Sequence, residues 1–469
     1  MTAAYPPGPR LPRVVQTLLH AKWRAWFAGV TARRYGDVYT MRMIAPYAEH
    51  LVVFSRPDHI REIFAGDPAD LHAGEGNRVL GPIMGQHSLL LTDEGEHARA
   101  RRLLMPAFTG SSLRGYRGMI ETIAQQHVDR WEPGTTLTTL DRMNALTLDV
   151  ITQVVFGVSE QRGREELAPR LRRLVDIGPL IYLGSKWQSL QRFGSWKRFA
   201  DNQAAIDTLL YDEIARRRAH PNPGERADVL SRLLAVGTDT GDAPLSDAEL
   251  RDQLVTLLLA GHETTASALS WTMYELSTHP EVQRRARRAA AEGDDKYLEA
   301  VLKEAMRRHP VIGGTVRRLT REMMVGGYRL PRGTVVQTSI VLAHADAGNH
   351  PEPERFRPER FLDGSVAANT WLPFGGGVRR CIGAGFSLME GTTVLAEVLG
   401  RFELAPVRPR ERGRIRNITN VPAHGAPVVL RSLTETTRPH PITAPAPSRV
   451  DADAHPGRRL GCDTPDTGA

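Results

Sequence analysis

The sequence contains few cysteines. Only two of its 469 residues are cysteine, Cys381 and Cys462, and this number excludes a disulfide framework. Cys462 lies near the end of the chain, so Cys381 is the single thiol in the body of the protein, which suits a reducing cytosol. One body cysteine also excludes an iron–sulfur cluster, because such a cluster is held by several cysteine thiolates.

Long apolar runs are also missing. The chain begins MTAAYPPGPRLPRVV, without the apolar run typical of a signal peptide. No segment supplies the roughly 18 uninterrupted apolar residues that a membrane span needs. The sequence therefore predicts a cytoplasmic protein with no membrane span.

Lysine is scarce as well, and almost all of the basic surplus is arginine. Lysine and arginine together number 61 against 53 acidic residues, and only five of the 61 are lysine. The arginines are spread along the chain, without the aromatic-interleaved basic cluster of a nucleic-acid module. We therefore predict no nucleic-acid partner, while a basic patch for an acidic protein partner stays open.

Patterning along the chain predicts a mainly α protein with minor β, built as one large domain over residues 1–430. Residues 1–12 form a non-helical lead-in, and residues 39–43 and 51–54 have the composition of two paired strands. Helical patterning dominates the middle, and a last helix is expected over residues 383–400. Residues 431–469 have almost no large apolar side chains and are predicted to be a disordered tail.

Three helix starts show the spacing of a capping box, in which a polar N-cap residue precedes a glutamate by three positions. The predicted pairs are Asp93 with Glu96, Ser246 with Glu249, and Thr278 with Glu281.

The segment FGGGVRRCIG, residues 374–383, is the most informative part of the sequence. Successive glycines let a loop turn tightly and approach a flat ligand, and the start of the following helix favours a thiolate. A lone cysteine is usually a small buried hydrophobe, but here Phe374 can shield the sulfur and Arg379 can pair with a haem carboxylate. The pattern predicts a haem whose iron is bound by Cys381. Its fixed positions are Phe374, Gly377, Arg379, Cys381 and Gly383.

This pattern resembles the cysteine loop of the cytochrome P450 family, the haem-thiolate monooxygenases, and the resemblance runs from about Tyr35 to Leu430. It implies a P450-type helical domain that binds haem b (iron protoporphyrin IX) with Cys381 as the axial thiolate. It also implies O2 as a co-substrate and electrons drawn ultimately from NAD(P)H. Because the chain has no flavin or iron–sulfur module, a ferredoxin and a ferredoxin reductase are the implied partners.

A second motif lies on the helix that Ser246 opens. Leucines 250, 254, 257 and 258 share one face, and Gly261 and Thr264 continue it. A core helix with a tolerated threonine pair is the alternative. The segment AGHETT, residues 260–265, resembles the family's oxygen-binding motif, which implies that Gly261 leaves room over the haem. It further implies that Thr264 holds dioxygen and a protonating water, and that Glu263 relays protons.

A third motif pairs Glu304 with Arg307, three residues apart on a helix, which is the spacing of an ordinary surface ion pair. The segment FRPERF, residues 356–361, resembles the family segment that brings a second arginine to the same glutamate. The resemblance implies a buried network of Glu304, Arg307 and Arg360 behind the cysteine loop. Such a network fixes geometry more than it adds stability.

Haem carboxylates need cationic partners when buried. His97 and Arg101 lie four apart on a helix, hence on one face, although an arginine-rich helix with a solvated face is the alternative. Family members place propionate partners at this spacing, and Arg317 and Arg379 match two further positions. Arg318 competes with Arg317 for that role.

The sequence thus predicts an enzyme that uses O2 to hydroxylate or epoxidise a small hydrophobic substrate, such as a lipid, terpenoid, steroid or polyketide. Two alternatives stay open: a haem-thiolate isomerase, dehydratase or peroxygenase, and a non-catalytic haem- or ligand-binding protein. We expect the pocket to be lined from residues 71–91, 174–199 and 311–315, which are mostly apolar. An acidic ferredoxin is expected to dock near five arginines. These are Arg99, Arg102, Arg114, Arg117 and Arg380.

Overall fold

The computed structural model describes residues 5–45, 47–157, 161–175, 192–220, 228–236 and 243–433. This part of the chain is mainly α with small sheets, which confirms the predicted fold class. Its helices, in chain order, are α1 Arg13–Lys22, α2 Arg24–Tyr35, α3 Pro57–Ala65, α4 Ala73–Asn77, α5 Gly81–Met84, α6 Glu94–Leu104, α7 Gly110–Val128, α8 Thr139–Phe156, α9 Gln161–Val175, α10 Gly194–Arg218, α11 Val229–Leu234, α12 Asp247–Thr278, α13 Pro280–Glu292, α14 Asp295–Arg308, α15 Ile340–Ala345 and α16 Ala384–Arg401.

The strands form four small sheets in the described part of the chain. They are β1 Val38–Arg42, β2 His50–Phe54, β3 Leu71–His72, β4 Thr136–Thr138, β5 Gly314–Leu319, β6 Met323–Val325, β7 Tyr328–Leu330, β8 Val335–Ser339, β9 Phe402–Pro406, β10 Gly413–Arg416, β11 Thr419–Pro422 and β12 Pro427–Ser432. The largest sheet has the order β1-β2-β8-β5-β3. Its β1 and β2 are the antiparallel pair predicted from residues 39–43 and 51–54. Parallel pairing of β2 with β8 joins two segments that are distant in sequence.

Helix α12 is the centre of the fold and packs most extensively on α8. Its start at Ser246 is a true capping box: the Ser246 hydroxyl accepts the Glu249 N–H at 3.2 Å, and the Glu249 carboxylate accepts the Ser246 N–H at 2.8 Å. The predicted leucine stripe is buried. Because α12 is buried on nearly every side, its side chains are held in fixed positions by the surrounding residues.

The other two predicted capping boxes are wrong. Asp93 is the N-cap residue of α6, but its carboxylate accepts the N–H groups of Gly74 and Glu75 at 2.8 and 2.9 Å. Thr278 still belongs to α12, and its hydroxyl donates to carbonyl groups of its own helix. In both places the side-chain oxygen that was predicted to cap the helix forms its hydrogen bonds with another partner, in a distant segment for Asp93 and in its own helix for Thr278.

The described residues include the two predicted boundaries, at residues 12 and 430. Residues 5–12 precede α1 without regular structure. Strand β12 continues to Ser432 and pairs there with Phe402 of β9, so this strand extends two residues past Leu430. Residues 434–469, which hold the rest of the predicted tail, lie outside the described residues. No helix in the described ranges combines the length and the apolar character needed to cross a bilayer.

Candidate functional site

The fold encloses a cavity of about 480 Å³ beside α12. Its wall is formed by α12, the cysteine loop of residues 374–383, strand β5, the segment around α4 and α5, and the turn between β10 and β11. Most of the wall is apolar, with a few polar groups at defined places, and this is the usual character of a small-molecule site. Typical apolar members are Leu80, Ile83, Leu257, Ile312 and Ile418.

The cysteine loop turns back on itself and presents Cys381 to the cavity. The Cys381 N–H donates to the Phe374 carbonyl oxygen at 2.9 Å, which closes the loop. Gly375 and Gly377 adopt φ angles of 65° and 63°, a left-handed conformation that glycine adopts without strain. The Cys381 side chain is exposed, and the space it faces is the cavity.

Two of the three glycines, Gly376 and Gly377, are needed for packing of the loop against α3. A Cβ atom on Gly376 would lie 2.3 Å from the Phe64 ring, and one on Gly377 would lie 2.1 Å from the Phe64 carbonyl oxygen. The loop therefore lies directly on the end of α3, and a side chain at either position would push it away. Sequence reasoning expected a close approach to a flat ligand, and that role is left to Gly375 and Gly376, which line the cavity.

Burial and the neighbouring polar groups shift the pKa of the Cys381 thiol in opposite directions. Although the side chain opens onto the cavity, it lies deep in the protein, and burial raises the pKa of the Cys381 thiol. A hydrogen bond from the Gly383 N–H and the charges of Arg380 and Arg101 lower it. The start of α16 thus favours the thiolate as the sequence predicted, but burial outweighs it. Binding to a metal cation releases the thiol proton and so supplies the missing stabilisation.

Three arginines and a histidine converge on one wall of the cavity: Arg101, Arg317, Arg379 and His97. Burial, together with the charges of Arg379 and Arg101, lowers the pKa of His97 to about 4. Burial and the charge of Arg379 lower the pKa of Arg317 to about 10. Like charges gathered in a buried place are favourable only with an anion between them. The two carboxylates of a haem fit this wall, as Cys381 fits the iron.

The arginines of this wall are held in place by backbone oxygens. Arg101 Nη1 donates to the Arg380 carbonyl at 2.8 Å, which ties α6 to the cysteine loop. Arg379 Nη2 donates to the Thr92 carbonyl at 2.7 Å and to Asp93 Oδ1 at 2.5 Å. Arg317 donates to the carbonyl of its own neighbour, Val316.

Arg318, the alternative to Arg317 as a partner of a haem carboxylate, interacts with a different residue. Arg318 Nε lies 3.3 Å from Glu75 Oε2, and its side chain forms an ion pair there. Arg317 is the more deeply buried of the two and lies near the charges of Arg379 and Asp93.

Helix α12 brings Gly261, Glu263 and Thr264 to the same cavity. Thr264 Oγ1 donates to the Ala260 carbonyl, four residues earlier on the same helix, at 2.7 Å. A Cβ atom on Gly261 would lie 2.8 Å from the Ile151 side chain of α8, so this glycine lets α8 and α12 approach closely. Gly261 therefore serves helix packing as well as the cavity wall.

Glu263 has a partner that sequence reasoning missed. Arg416, the last residue of β10, donates from Nε to Glu263 Oε1 at 2.7 Å. The turn that follows Arg416 carries Asn417 and Ile418 into the cavity wall. No local pattern connects two residues that lie 153 positions apart in sequence.

Glu304, Arg307 and Arg360 form a contiguous buried network. Arg307 donates from Nε and Nη2 to the Glu304 carboxylate at 2.7 and 2.9 Å, and Arg360 donates from Nε at 3.1 Å. All three side chains are at most 2% exposed. Further donors on the two guanidinium groups reach backbone carbonyls at His344, Pro351 and Pro353.

His344 connects this network to the segment that leads into the cysteine loop. Its Nδ1–H donates to the Arg307 carbonyl oxygen at 3.2 Å, and its Nε2 accepts the Leu372 N–H at 2.7 Å. Burial, with the nearby His350 and Arg307, lowers the pKa of His344 to about 3, so the imidazole is neutral. Sequence reasoning did not find His344, because nothing in its local sequence distinguishes it among 16 histidines.

The predicted pocket segments are only partly the ones that line the cavity. The stretch around α4 and α5 and the residues from Val311 to Thr315 do line it. Of residues 174–199, Leu174 lines the cavity, and residues 176–191 lie outside the described chain. The turn at Asn417 and Ile418 was not predicted.

Comparison with known proteins agrees with this geometry. The family model described as Cytochrome P450 matches residues 6–422. A Mycobacterium tuberculosis protein provisionally named cytochrome P450 135A1 is 57% identical over 428 residues, which cover 91% of this chain and 95% of the relative. A Mycobacterium bovis protein provisionally named cytochrome P450 135B1 is 39% identical over 446 residues, or 94% of each chain.

Two solved structures show the same fold at low identity. The first is a cyanobacterial protein, CYP120A1, with retinoic acid bound; it has a TM-score of 0.80 and 24% identity and covers 92% of this chain and 100% of its own. The second is the cytochrome P450DA haem domain, with a TM-score of 0.78 and 23% identity over 93% of this chain and 100% of its own.

Proposed function

The chain belongs to the cytochrome P450 family, and from that premise we propose that it hydroxylates or epoxidises a small hydrophobic substrate with Cys381 as the axial ligand of its haem. Family membership makes it a monooxygenase that binds haem b through a cysteine thiolate and uses O2 with electrons from NAD(P)H. The observation that carries the proposal is the Cys381 thiol facing a largely apolar cavity with three arginines and His97 on one wall.

The bound haem supplies the oxygen-activating chemistry, and its thiolate ligand favours cleavage of the O–O bond. The chain supplies position and environment. Cys381 is presented by a loop closed on Phe374, and the wall formed by His97, Arg101, Arg317 and Arg379 is arranged to hold two carboxylates. The apolar wall excludes water and orients a hydrophobic substrate.

We assign proton delivery to Thr264 and Glu263, which lie on the cavity side of α12. The Thr264 hydroxyl donates a hydrogen bond to the Ala260 carbonyl. Its oxygen is therefore oriented to accept a hydrogen bond from a water in the cavity. The Glu263 carboxylate is anchored by Arg416. A carboxylate beside a fixed hydroxyl and a water forms a path along which protons reach the dioxygen co-substrate.

Replacing Thr264 by alanine is expected to uncouple the enzyme. Haem content and substrate binding should be retained, while the fraction of NAD(P)H electrons recovered in product falls about tenfold and hydrogen peroxide rises correspondingly. Product and peroxide formed per NAD(P)H consumed are the quantities to measure. Thr265→Ala is the matched control, because the Thr265 hydroxyl is buried 3.1 Å from Ser387 Oγ of α16. Unchanged coupling in Thr264→Ala would contradict the assigned role.

The reaction class is tested by the co-substrates it needs. Apolar compounds that shift the Soret band identify ligands, and each is then incubated with and without O2 and with and without an electron donor. Product that requires both supports monooxygenation. Product without O2 would indicate an isomerase or dehydratase, product with peroxide alone a peroxygenase, and ligand binding without any product a non-catalytic binding protein.

We propose an acidic ferredoxin, with its reductase, as the electron donor, docking on the face that carries the cysteine loop. Arg102, Arg114 and Arg380 are exposed on this face, with the exposed Val378 of the loop beside Arg380. Arg99 and Arg117, which also belong to the docking surface predicted from the sequence, form ion pairs with Glu249 and Asp295. Such a donor and a body thiol that stays reduced suit the cytoplasm.

Charge reversal on this face should weaken docking. For Arg102→Glu/Arg114→Glu we expect the KM for ferredoxin to rise about tenfold at low salt and the difference to shrink at high salt, because exposed charges are screened. The control is Arg408→Glu/Arg410→Glu, which reverses two exposed arginines in the loop after β9. Equal KM values for both double variants would reject this docking face.

A further inference from the structure

Helix α1 buries three polar side chains and exposes several apolar ones. Its buried residues are Gln16, Thr17 and His20. By contrast, Val14 and Leu18 are 52% and 60% exposed. A helix at the surface of a water-soluble domain normally shows the reverse arrangement.

The inversion is stabilised by specific hydrogen bonds. Gln16 Nε2 donates to the Pro9 and Leu11 carbonyls at 3.0 and 2.8 Å, and its Oε1 accepts the Arg42 N–H of β1 at 3.0 Å. Thr17 Oγ1 accepts a backbone N–H that follows the same strand, at 3.1 Å. Gln16 and Thr17 therefore fix α1 to the segment before it, to β1 and to the backbone that follows β1, and this leaves the apolar face outward.

The apolar surface continues from α1 into α2. Trp23, which separates the two helices, is 50% exposed, and Trp26 is 60% exposed. Seven of the thirteen large apolar side chains that are exposed in the described chain fall within residues 11–30, so they are concentrated rather than scattered. We call this set the α1–α2 surface; its members are Leu11, Val14, Val15, Leu18, Trp23, Trp26 and Val30.

The charge around the α1–α2 surface is mainly positive, although Glu49 forms an ion pair with Arg13 of α1 at 2.9 Å. Residues 1–36 contain no aspartate or glutamate and six basic residues. Arg10, Lys22, Arg33 and Arg34 are exposed, and Lys22 Nζ lies 4.8 Å from the centre of the Trp23 ring. Exposed apolar side chains, tryptophans and basic residues together are the composition of a helix that lies in the interface of an anionic bilayer.

The inner side of the same helices reaches the cavity. His20 of α1 and Arg24 of α2 line the cavity that Cys381 faces, together with Met43, Tyr47 and Ala48. A molecule at the α1–α2 surface is therefore separated from the cavity by little more than these two helices. For an apolar substrate, a lipid layer at this place is a local reservoir.

We propose that the α1–α2 surface docks on an anionic lipid bilayer without crossing it, so that one end of the substrate cavity is held against the lipid. Headgroup phosphates complement the basic residues, and the apolar side chains enter the outer acyl region. A second copy of the chain is a less favourable partner for this surface, because two basic segments without acidic residues would repel each other. Docking itself does not depend on the proposed reaction; only the delivery of substrate from lipid does. In a cell the docked enzyme would lie on the cytoplasmic leaflet.

Vesicle flotation of the full-length holoprotein tests the proposal. Vesicles of phosphatidylglycerol and phosphatidylcholine in equal parts should carry the protein upward at low salt, and phosphatidylcholine alone should carry much less. Added salt should weaken binding to the mixed vesicles. Leu18→Ser/Trp26→Ser should lower the partition coefficient about tenfold or more. Met324→Ser/Val407→Ser, which removes two apolar side chains of 50% and 43% exposure elsewhere, should leave it unchanged.

Flotation and oligomeric state together distinguish bilayer docking from self-association through the same surface. Each variant must first show the circular dichroism and the reduced carbon monoxide spectrum of the wild type, which the exposed positions make attainable. The proposal is overturned if the wild type does not float, or if Leu18→Ser/Trp26→Ser floats as well as the wild type. It is also overturned if the wild type forms dimers that this variant dissociates and neither protein floats. Turnover of substrate supplied from water should be equal in all variants, so a failure of the proposed reaction is recognised separately.

Discussion

Replacing Cys381 by alanine should abolish both the thiolate-type absorption spectrum of the reduced carbon monoxide complex and all monooxygenase activity. Alanine has no atom that can bind iron, and Cys381 is the residue that the loop presents to the cavity. The loop should keep its shape, because the closing hydrogen bond to Phe374 uses the backbone N–H of residue 381. The measurement is the carbon monoxide difference spectrum of protein reconstituted with haem, together with product formation.

The matched control for this prediction is Cys462→Ala, which removes the other cysteine of the chain and should change neither spectrum nor activity. The two variants also separate ligand loss from general thiol effects, such as oxidation or intermolecular disulfides. A thiolate-type spectrum that persists in Cys381→Ala would show that another residue binds the iron, and the proposed site would then be wrong.

Features within one element could be predicted from the sequence. The stripe of α12 and the capping box at Ser246 depend on residues within one or two turns of each other, and both are present. The same reasoning failed at Asp93, because Gly74, Glu75 and Arg379 compete for its carboxylate from other parts of the chain. Spacing describes what a side chain can do locally, and tertiary contacts decide among the options.

Several contacts of the site had no sequence signal at all. Arg416 reaches Glu263 from a hairpin near the end of the chain, and His344 joins Arg307 to Leu372. These pairs are distant in sequence, and arginine and histidine side chains in such segments are usually solvated. The inverted exposure of α1 was missed for a related reason. An amphipathic pattern identifies the two faces of a helix. Which face is buried depends here on tertiary contacts, such as the hydrogen bond from the Arg42 N–H of β1 to Gln16.

Glu304→Ala should destabilise the protein by about 3–5 kcal/mol, because it leaves two guanidinium groups buried without a carboxylate. Arg307 and Arg360 are at most 2% exposed, and the Glu304 carboxylate also accepts the Arg357 N–H at 3.0 Å. Haem retention should fall too, since Arg307 positions His344, which in turn holds Leu372 just before the cysteine loop. The measurements are the free energy of unfolding in urea and the haem content of the purified protein.

Helix α14 offers a matched control for Glu304→Ala on the same element. Glu299 also forms an ion pair, with Lys303 at 2.6 Å, but it is 39% exposed. Water solvates the lysine left by Glu299→Ala, so this variant should change stability by no more than about 0.5 kcal/mol and leave haem content unchanged. If Glu304→Ala and Glu299→Ala lost equal stability, the buried network would be no more than another ion pair. A stable Glu304→Ala protein that loses haem would instead assign the network to positioning the loop alone.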